Sequence, residues 1–289
     1  MVTTAKNTTA KNNDTPLIEM RAMHVSFGPQ QVLRNITLKI PSGQTLAIIG
    51  ESGCGKTVLL KTIIALVSPT KGQALFDGQN LAELNEQQLT QQRIRFGFLF
   101  QGGALFDSMT VLQNVAFPLR QHRRMSAQET RDAVLERLAE VGLPDDVLTK
   151  KPAELSGGMR KRVALARALV IDPEVMLYDE PTTGLDPIMS DVINQLILRT
   201  QRRHPVTSIV VTHDMRTTAE VADRVMMLYP IGEVAADENQ IIFDGTPQQL
   251  KNSSDPRVEQ FVLGRAGDRL GAAVERTAHK SRQSEERSE

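Results

Sequence analysis

The chain has one cysteine, Cys54, among 289 residues, and this scarcity excludes disulfides within the chain and metal sites built from several cysteines. It also lacks an excess of either charge, because Lys+Arg and Asp+Glu each number 34, so nothing favours a nucleic-acid partner. No apolar run approaches the ~18–20 residues of a membrane span, and residues 1–13 lack the apolar core of a signal peptide. We therefore expect a cytoplasmic chain with no nucleic-acid partner.

The strongest motif is a glycine-rich loop between an apolar run, residues 45–49, and a helical pattern, residues 58–67. Its glycines let backbone N–H groups face a polyphosphate, while Lys56 adds charge beside the β- and γ-phosphates and the Thr57 hydroxyl reaches Mg²⁺. A strand-to-helix turn that binds nothing is the alternative, but the flanking patterns favour a phosphate site. This phosphate loop comprises Gly50, Glu51, Ser52, Gly53, Cys54, Gly55, Lys56 and Thr57.

A second motif opens a basic amphipathic helix, residues 160–170. Ser156 is a natural N-cap, and Gly157 and Gly158 after it allow backbone N–H groups and the positive helix end to approach a phosphate. An ordinary Ser-Gly-Gly helix start would look the same in isolation.

Two adjacent carboxylates form the third motif. The apolar residues 175–178 predict a short buried strand, and this strand delivers Asp179 and Glu180 at its carboxyl end, where α/β sheets place ligands. Asp179 would hold the Mg²⁺ shell, and Glu180 would orient or deprotonate the attacking water.

Together these motifs resemble the nucleotide-binding subunit of ABC transporters over roughly residues 17–261. The family's other motifs follow in the family's order: Gln101 after the strand-like residues 96–100, Asp186 in a turn, and His213 after an apolar strand pattern. Taken singly, they could be a polar strand end, a turn former and a surface histidine. Their order favours the family.

The resemblance implies ATP and Mg²⁺ as cofactors. It gives catalytic roles to Glu180, His213 and Gln101, and places the metal at Thr57, Gln101 and Asp179. It also implies a head-to-tail homodimer with two shared ATP sites. There Ser156, Gly157, Gly158 and Asp186 would contact nucleotide at the interface.

Two further nucleotide contacts follow from the family. Phe27 stands where the family usually has an aromatic ring that stacks on adenine; the alternative is that Phe27 packs in a hairpin core. Val58 stands where the family commonly has a second hydroxyl residue that touches the α-phosphate, so this chain departs from the pattern there.

The implied fold is an α/β P-loop ABC ATPase cassette with a RecA-like core, an antiparallel β subdomain and an α-helical lobe. Strand and helix patterns alternate after residue 174, which is typical of a parallel, doubly wound sheet. Ser126 and Glu129 form a capping box, and Gly142 stops the helix that it opens. We expect disordered polar tails at residues 1–15 and 265–289, and one domain at residues 16–264 with a helical lobe at about 102–170.

Three finer features are residues 103–106 after Gln101, Met159 where most relatives have Gln, and residues 255–261. Together they look like the ATPases of MCE-associated (Mla-type) lipid transporters. The implied function is to power phospholipid transport in a bacterial envelope, with a membrane permease and an MCE-domain lipid-binding protein as partners. The chain would sit on the inner face of the cell membrane through the permease. An apolar groove for the permease is expected at Ala104, Leu105, Phe106 and Met109, with helical-lobe core as the alternative.

Two rival functions stay open. The ATPase of an importer for amino acids or other small solutes would share every catalytic motif. A soluble ABC protein acting on DNA or ribosomes would generally carry two cassettes or a long coiled coil, whereas this chain has one phosphate loop and no sustained heptads.

Two local features complete the sequence. Cys54 is expected to have a lowered thiol pKa, because it lies beside Lys56 and a helix N-terminus; a small buried loop residue is the alternative. Residues 230–240 are longer and more acidic than the turn that the family usually has there, and the sequence offers no functional account of them.

Overall fold

The computed structural model describes residues 16–203, 206–235 and 237–265. The predicted tail at residues 1–15, and the predicted tail at residues 265–289 apart from Arg265, lie outside the described residues. Backbone contacts divide the chain into two compact units, one ending at Pro247 and one beginning at Gln248. This division falls inside the range 16–264 that we predict as one domain, and that range stays a prediction.

The first sheet of unit one is antiparallel. Its spatial order is β2-β1-β4-β5, and a tight turn at Gly28, with φ +58°, joins the first two strands. Buried aliphatic and methionine side chains of β1 and β2, such as Met20 and Leu38, fill its inner face. The strands are β1 (Ile18–Phe27), β2 (Gln30–Ile40), β4 (Lys71–Phe76) and β5 (Gln79–Asn80).

The second sheet has the order β10-β9-β3-β8-β7-β6, and its strand pairs are parallel except that β10 runs antiparallel to β9. Every residue of the three central strands, β3, β8 and β7, is buried, as expected for parallel strands covered on both faces. The carboxyl ends of the parallel strands therefore meet at one edge. The strands are β3 (Thr45–Gly50), β6 (Phe96–Leu99), β7 (Val175–Asp179), β8 (Thr207–Val211), β9 (Arg224–Leu228) and β10 (Ile241–Gly245).

Seven α-helices complete the described part of unit one. They are α1 (Lys56–Ile63), α2 (Glu86–Arg93), α3 (Val111–His122), α4 (Ala127–Glu140), α5 (Gly157–Leu169), α6 (Pro187–Arg203) and α7 (Met215–Val221). Helix α1 ends earlier than the predicted residue 67, because Ala65 adopts a left-handed conformation with φ +54°. No helix in the described part of the chain is long and apolar enough to span a membrane.

Helices α3, α4 and α5 contact one another inside the range predicted for the helical lobe. The predicted capping box opens α4: the Ser126 hydroxyl accepts from the Glu129 N–H at 3.2 Å, and the Glu129 carboxylate accepts from the Ser126 N–H at 2.7 Å. Gly142, with φ +69°, follows the end of α4 as predicted. The α/β fold with a mainly parallel sheet is confirmed.

Helix α8 (Pro247–Lys251) crosses into unit two, where α9 (Pro256–Val262) follows. Asp255 caps α9 by accepting from the Arg257 N–H at 2.9 Å, and its carboxylate also pairs with the Arg257 guanidinium at 2.8 Å. Burial alone would raise the pKa of the Asp255 carboxyl. The hydrogen bond from Arg257 has the larger effect and holds this pKa below its usual range.

Candidate functional site

The phosphate loop joins β3 to α1 at the sheet edge where the parallel strands end. Gly50, Gly53 and Gly55 have φ values of +142°, +83° and +103°, which side chains with a Cβ rarely adopt. A Cβ on Gly50 would collide with the carbonyl oxygen of Leu228, and one on Gly55 would lie 2.7 Å from a methyl carbon of Leu33. The loop therefore requires glycine at these positions for both conformation and space.

Lys56 is buried and folds back over the loop. Its ammonium donates to the carbonyl oxygens of Gly50 and Glu51, each at 2.8 Å. These carbonyls point at the lysine, and the first-turn N–H groups of α1, which begins at Lys56, have no intrahelical acceptor. A ring of donors with a nearby positive charge fits a polyphosphate.

Asp179 ends β7 beside the first turn of α1. The Thr57 hydroxyl donates to its two carboxylate oxygens at 3.3 and 3.4 Å. Burial raises the pKa of the Asp179 carboxyl above its usual value, against the hydrogen bond from Thr57 and with the nearby Glu180 charge adding to the rise. A cation beside the Asp179 carboxylate would favour its charged form and so lower this pKa.

These two residues fit Mg²⁺. The described residues contain no group of three or more His, Cys, Asp or Glu side chains that could enclose an ion alone. Mg²⁺ commonly takes one or two protein oxygens and completes its shell with water and substrate phosphates. A hydroxyl and a carboxylate next to a phosphate loop are the donor set that this pattern requires.

Glu180 lies one residue beyond, with a left-handed backbone of φ +49°. Its carboxylate is 2.8 Å from Nδ1 of His213 and accepts from the Thr183 hydroxyl at 3.0 Å. Its own backbone is held on both sides: its N–H donates to the Val211 carbonyl at 2.9 Å, and its carbonyl accepts from the Lys161 ammonium at 3.1 Å. The structure thus brings together Glu180 and His213, two of the three residues to which the family resemblance gives catalytic roles.

The start of α5 also follows the prediction for Ser156 as an N-cap, whose hydroxyl accepts from the Met159 N–H at 3.2 Å. Gly157 is exposed, whereas Gly158 is buried against Met189. Asp186 accepts from the Met189 N–H at 2.9 Å and so caps the start of α6. In a single copy of the chain, the side chains of Ser156 and Asp186 therefore each accept a hydrogen bond from the first turn of the helix that follows them.

Phe27 is 51% exposed at the end of β1, so the alternative that it packs in a hairpin core is wrong. Its ring is free to contact a ligand. Val58 is partly buried and packs against the core between the sheets, so it offers no polar side-chain contact. Gln101 and the loop residue Ser52 are exposed.

The expectation of a reactive Cys54 is wrong. Cys54 is 1% exposed, and its sulfur packs close to Gly50 at the base of the loop. Burial raises the pKa of the Cys54 thiol, and the opposing effect of Lys56, whose ammonium lies 4.0 Å away, is smaller. The alternative of a small buried loop residue is correct.

The segment after Gln101 divides between surface and core. Ala104 and Phe106 line an open groove of about 290 Å³ together with Phe117, Pro118 and other residues, which we call the Phe106 groove. Leu105 instead packs against the core of α3, α4 and α5. Of the four residues predicted to form a permease groove, Ala104 and Phe106 line this groove, Met109 does not, and Leu105 belongs to the alternative. The other lining residues are Phe96, Gly97, Phe98, Phe100, Arg167, Ala168 and Ile171.

Three side chains that contact the site were not predicted. Thr183 bonds to the Glu180 carboxylate, Lys161 to the Glu180 carbonyl, and Gln240 to the Cys54 carbonyl at 3.1 Å. Thr183 lies three residues after Glu180 in the sequence, so its nearness in the chain could have indicated a contact with the Glu180 carboxylate. Lys161 and Gln240 come from distant parts of the chain, and no local pattern marks them.

A family model described as ABC transporter matches residues 33–183, across the phosphate loop, Ser156 and the two carboxylates. The chain belongs to the ABC transporter family. It is therefore an ATP-hydrolysing subunit, and the predicted family, cassette fold and ATPase activity are confirmed.

Relatives with assigned names agree on an ATP-binding subunit. An intermembrane phospholipid transport system ATP-binding protein, MlaF, of Haemophilus influenzae is 42% identical over 248 residues, which is 86% of this chain and 90% of that protein. MlaF of Escherichia coli K12 is 40% identical over 86% of this chain and 89% of its own length. A probable ribonucleotide transport ATP-binding protein, mkl, of Mycobacterium tuberculosis H37Rv is 40% identical over 90% of this chain and 70% of that protein.

Solved structures give the same fold. A dimeric ATP-binding cassette in a post-hydrolysis state with bound ADP and Pi has a TM-score of 0.71 and 31% identity over 80% of this chain and 98% of its own. The cbiO1 protein of Clostridium perfringens, part of an ABC transporter complex, has a TM-score of 0.72 and 26% identity over 91% of this chain and 100% of its own.

Proposed function

We propose that this chain powers phospholipid transport between the membranes of a bacterial envelope. The observation that carries the proposal is the likeness to two intermembrane phospholipid transport ATP-binding proteins along 89–90% of their length. The relative named for ribonucleotide transport is as similar in identity, but this chain covers only 70% of it.

In the proposed reaction, the phosphate loop binds the ATP phosphates through its N–H groups and Lys56, and Phe27 stacks on the adenine. Thr57, Asp179 and Gln101 would hold Mg²⁺, and the ion, when bound, would neutralise charge on the phosphates. Glu180 accepts a proton from the attacking water or orients that water. His213, 2.8 Å from the Glu180 carboxylate, keeps that carboxylate directed and contacts the γ-phosphate.

The proposed active unit is a homodimer. Ser156 and Gly157 are exposed at the start of α5, where a second copy can place nucleotide against the helix N-terminus. The solved cassette with bound ADP and Pi is itself dimeric, which supports this arrangement. A two-fold dimer of this kind presents the same surface from both copies and closes two ATP sites at once.

The proposed membrane partner is a permease that binds the Phe106 groove. Aromatic and aliphatic side chains line this groove, and Phe106 is 41% exposed at its edge. An amphipathic helix fits an apolar groove of this type. Through the permease the chain would lie on the inner face of the cell membrane, with an MCE-domain lipid-binding protein in the complete transporter.

A transfer assay tests the proposed cargo. The chain is purified together with its permease and reconstituted in vesicles that contain radiolabelled phospholipid, and ATP-dependent release to an acceptor is measured. We expect phospholipid transfer with wild-type chain and none with Glu180→Gln. Parallel assays use labelled ribonucleotides and amino acids; ATP-dependent movement of either, without phospholipid transfer, would overturn the phospholipid proposal.

A further inference from the structure

Hydrogen bonds join described residues of the acidic segment 230–240 to Arg34 of strand β2. The sequence alone offers no functional account of this segment. The Arg34 guanidinium donates to the carbonyl oxygens of Val234, Ala235 and Glu238. One side chain thus holds three carbonyls of the segment. These bonds hold the backbone at Val234, Ala235 and Glu238 against strand β2.

Gln240 closes the segment and is fully buried, with 0% exposure. Its side-chain oxygen accepts from the Arg34 N–H at 2.9 Å, and its side-chain nitrogen donates to the carbonyls of Val32 and Cys54, both at 3.1 Å. The amide orientation follows from its neighbours, because only the oxygen can accept from an N–H and only the nitrogen can donate to two carbonyls. Both hydrogens of the amide are used.

The bond to Cys54 has a consequence inside the phosphate loop. The peptide group between Cys54 and Gly55 is planar and trans, so its C=O and N–H point in opposite directions. When Gln240 holds the Cys54 carbonyl on one side, the Gly55 N–H must point to the other. Gly55, at φ +103°, is free to rotate more widely than other residues and benefits from such a restraint.

Lys56 restrains the other end of the loop, because its ammonium donates to the carbonyls of Gly50 and Glu51 at 2.8 Å. Two side chains therefore fix three carbonyls of the loop. The Cys54 N–H bonds to the Glu51 carbonyl at 3.4 Å, and with the three carbonyls engaged by protein donors the other N–H groups of the loop can face an anion.

We propose that Gln240 is a positioning residue of the phosphate loop, and that its bond to the Cys54 carbonyl raises the affinity of this loop for ATP. The proposal rests on the proposed binding of ATP phosphates by this loop. It gives the last residue of the segment a role that a simple surface turn would not have, because its buried amide bonds directly to the Cys54 carbonyl of the loop.

The test compares Gln240→Met with Val234→Ala in the full-length chain. Methionine has nearly the size of glutamine and no charge, so it removes the three hydrogen bonds with little change in volume. Val234 is buried in the same segment, and its truncation loosens the segment without removing a bond to the loop. Dissociation constants for ATP are measured by titration calorimetry without Mg²⁺, well below the melting temperature of each variant.

We expect Gln240→Met to weaken ATP binding about tenfold, the size of one lost and unreplaced hydrogen bond, and Val234→Ala to change it less than threefold. The steady-state KM for ATP should rise with Gln240→Met while kcat at saturating ATP changes little. If Gln240→Met does not fold, Gln240→Asn replaces it, because an amide one methylene shorter cannot reach Arg34 and Cys54 together.

Equal ATP affinities in wild type and the Gln240 variant would show that Gln240 only anchors the segment, and would overturn the inference. Equal losses of ATP affinity in the Gln240 and Val234 variants would lead to the same conclusion. Failure of the wild-type chain to bind ATP would instead overturn the proposed role of the phosphate loop. The two failures are therefore distinguishable.

Discussion

His213 places its Nδ1 atom 2.8 Å from the Glu180 carboxylate, across the ends of two neighbouring parallel strands. The carboxylate belongs to a residue in a left-handed conformation, which costs on the order of 1–3 kcal/mol. Bonds from the Glu180 N–H to Val211 and from Lys161 to the Glu180 carbonyl hold that conformation. The chain thus fixes the direction of Glu180 from both backbone and side chain before ATP arrives.

Replacement of this carboxylate tests its role. Glu180→Gln keeps the size and the hydrogen bond from Thr183 but cannot take a proton. We expect ATP hydrolysis to slow by about 10²–10⁴, the usual contribution of a positioned general base, with the dissociation constant for ATP nearly unchanged. Steady-state ATPase and equilibrium binding measure the two quantities. Hydrolysis at the wild-type rate would exclude Glu180 as the base.

The partner histidine gives a second prediction. The His213 side chain is 63% exposed, so His213→Ala should leave the melting temperature unchanged while it slows hydrolysis to an extent similar to Glu180→Gln. His122→Ala, at an exposed histidine of α3, is the matched control and should hydrolyse ATP normally. An ATPase rate for His213→Ala within threefold of wild type would remove His213 from the site.

Assembly gives a third prediction. We expect Glu180→Gln to retain bound ATP, so with ATP and Mg²⁺ the purified chain should elute as a dimer, with a mass near twice 32.0 kDa by light scattering. Lys56→Ala weakens phosphate binding and should stay monomeric under the same conditions. A Glu180→Gln chain that remains monomeric even when bound to its permease would contradict the two-site dimer.

The site could be predicted where its chemistry is local in the chain. A phosphate loop or a carboxylate pair carries its own strand and helix context within a few residues, so the sequence singles out Lys56, Thr57, Asp179 and Glu180, and the structure places the Thr57 hydroxyl beside Asp179. The burial and raised thiol pKa of Cys54 could not be predicted in this way, because its side chain packs in a core formed by residues from distant parts of the chain. For the same reason Leu105 was misplaced: helical packing separates it from its neighbours Ala104 and Phe106.

The corrected view of Cys54 is testable by its labelling rate. Maleimide reacts with the thiolate, and burial raises the thiol pKa while hiding the sulfur. We expect the folded chain to react at least about 10²-fold more slowly than the urea-unfolded chain. The rate should rise about tenfold per pH unit from pH 7 to 8.5 without a plateau, since each unit below the pKa lowers the thiolate tenfold. A plateau within this range would mean a lowered pKa.

The last prediction concerns the Phe106 groove. Phe106 is 41% exposed, packs at 4.8 Å on the Phe117 ring, and has its backbone N–H and C=O bonded to the buried Asn114 side chain. Because these backbone bonds survive substitution, Phe106→Asp should lower the melting temperature by less than about 4 °C. It should abolish copurification with the permease, since a carboxylate would be desolvated in an apolar interface. Leu66→Asp, at a leucine that is 53% exposed, is the control and should keep the permease. A large melting loss would assign Phe106 to the core, and retained copurification would place the permease elsewhere.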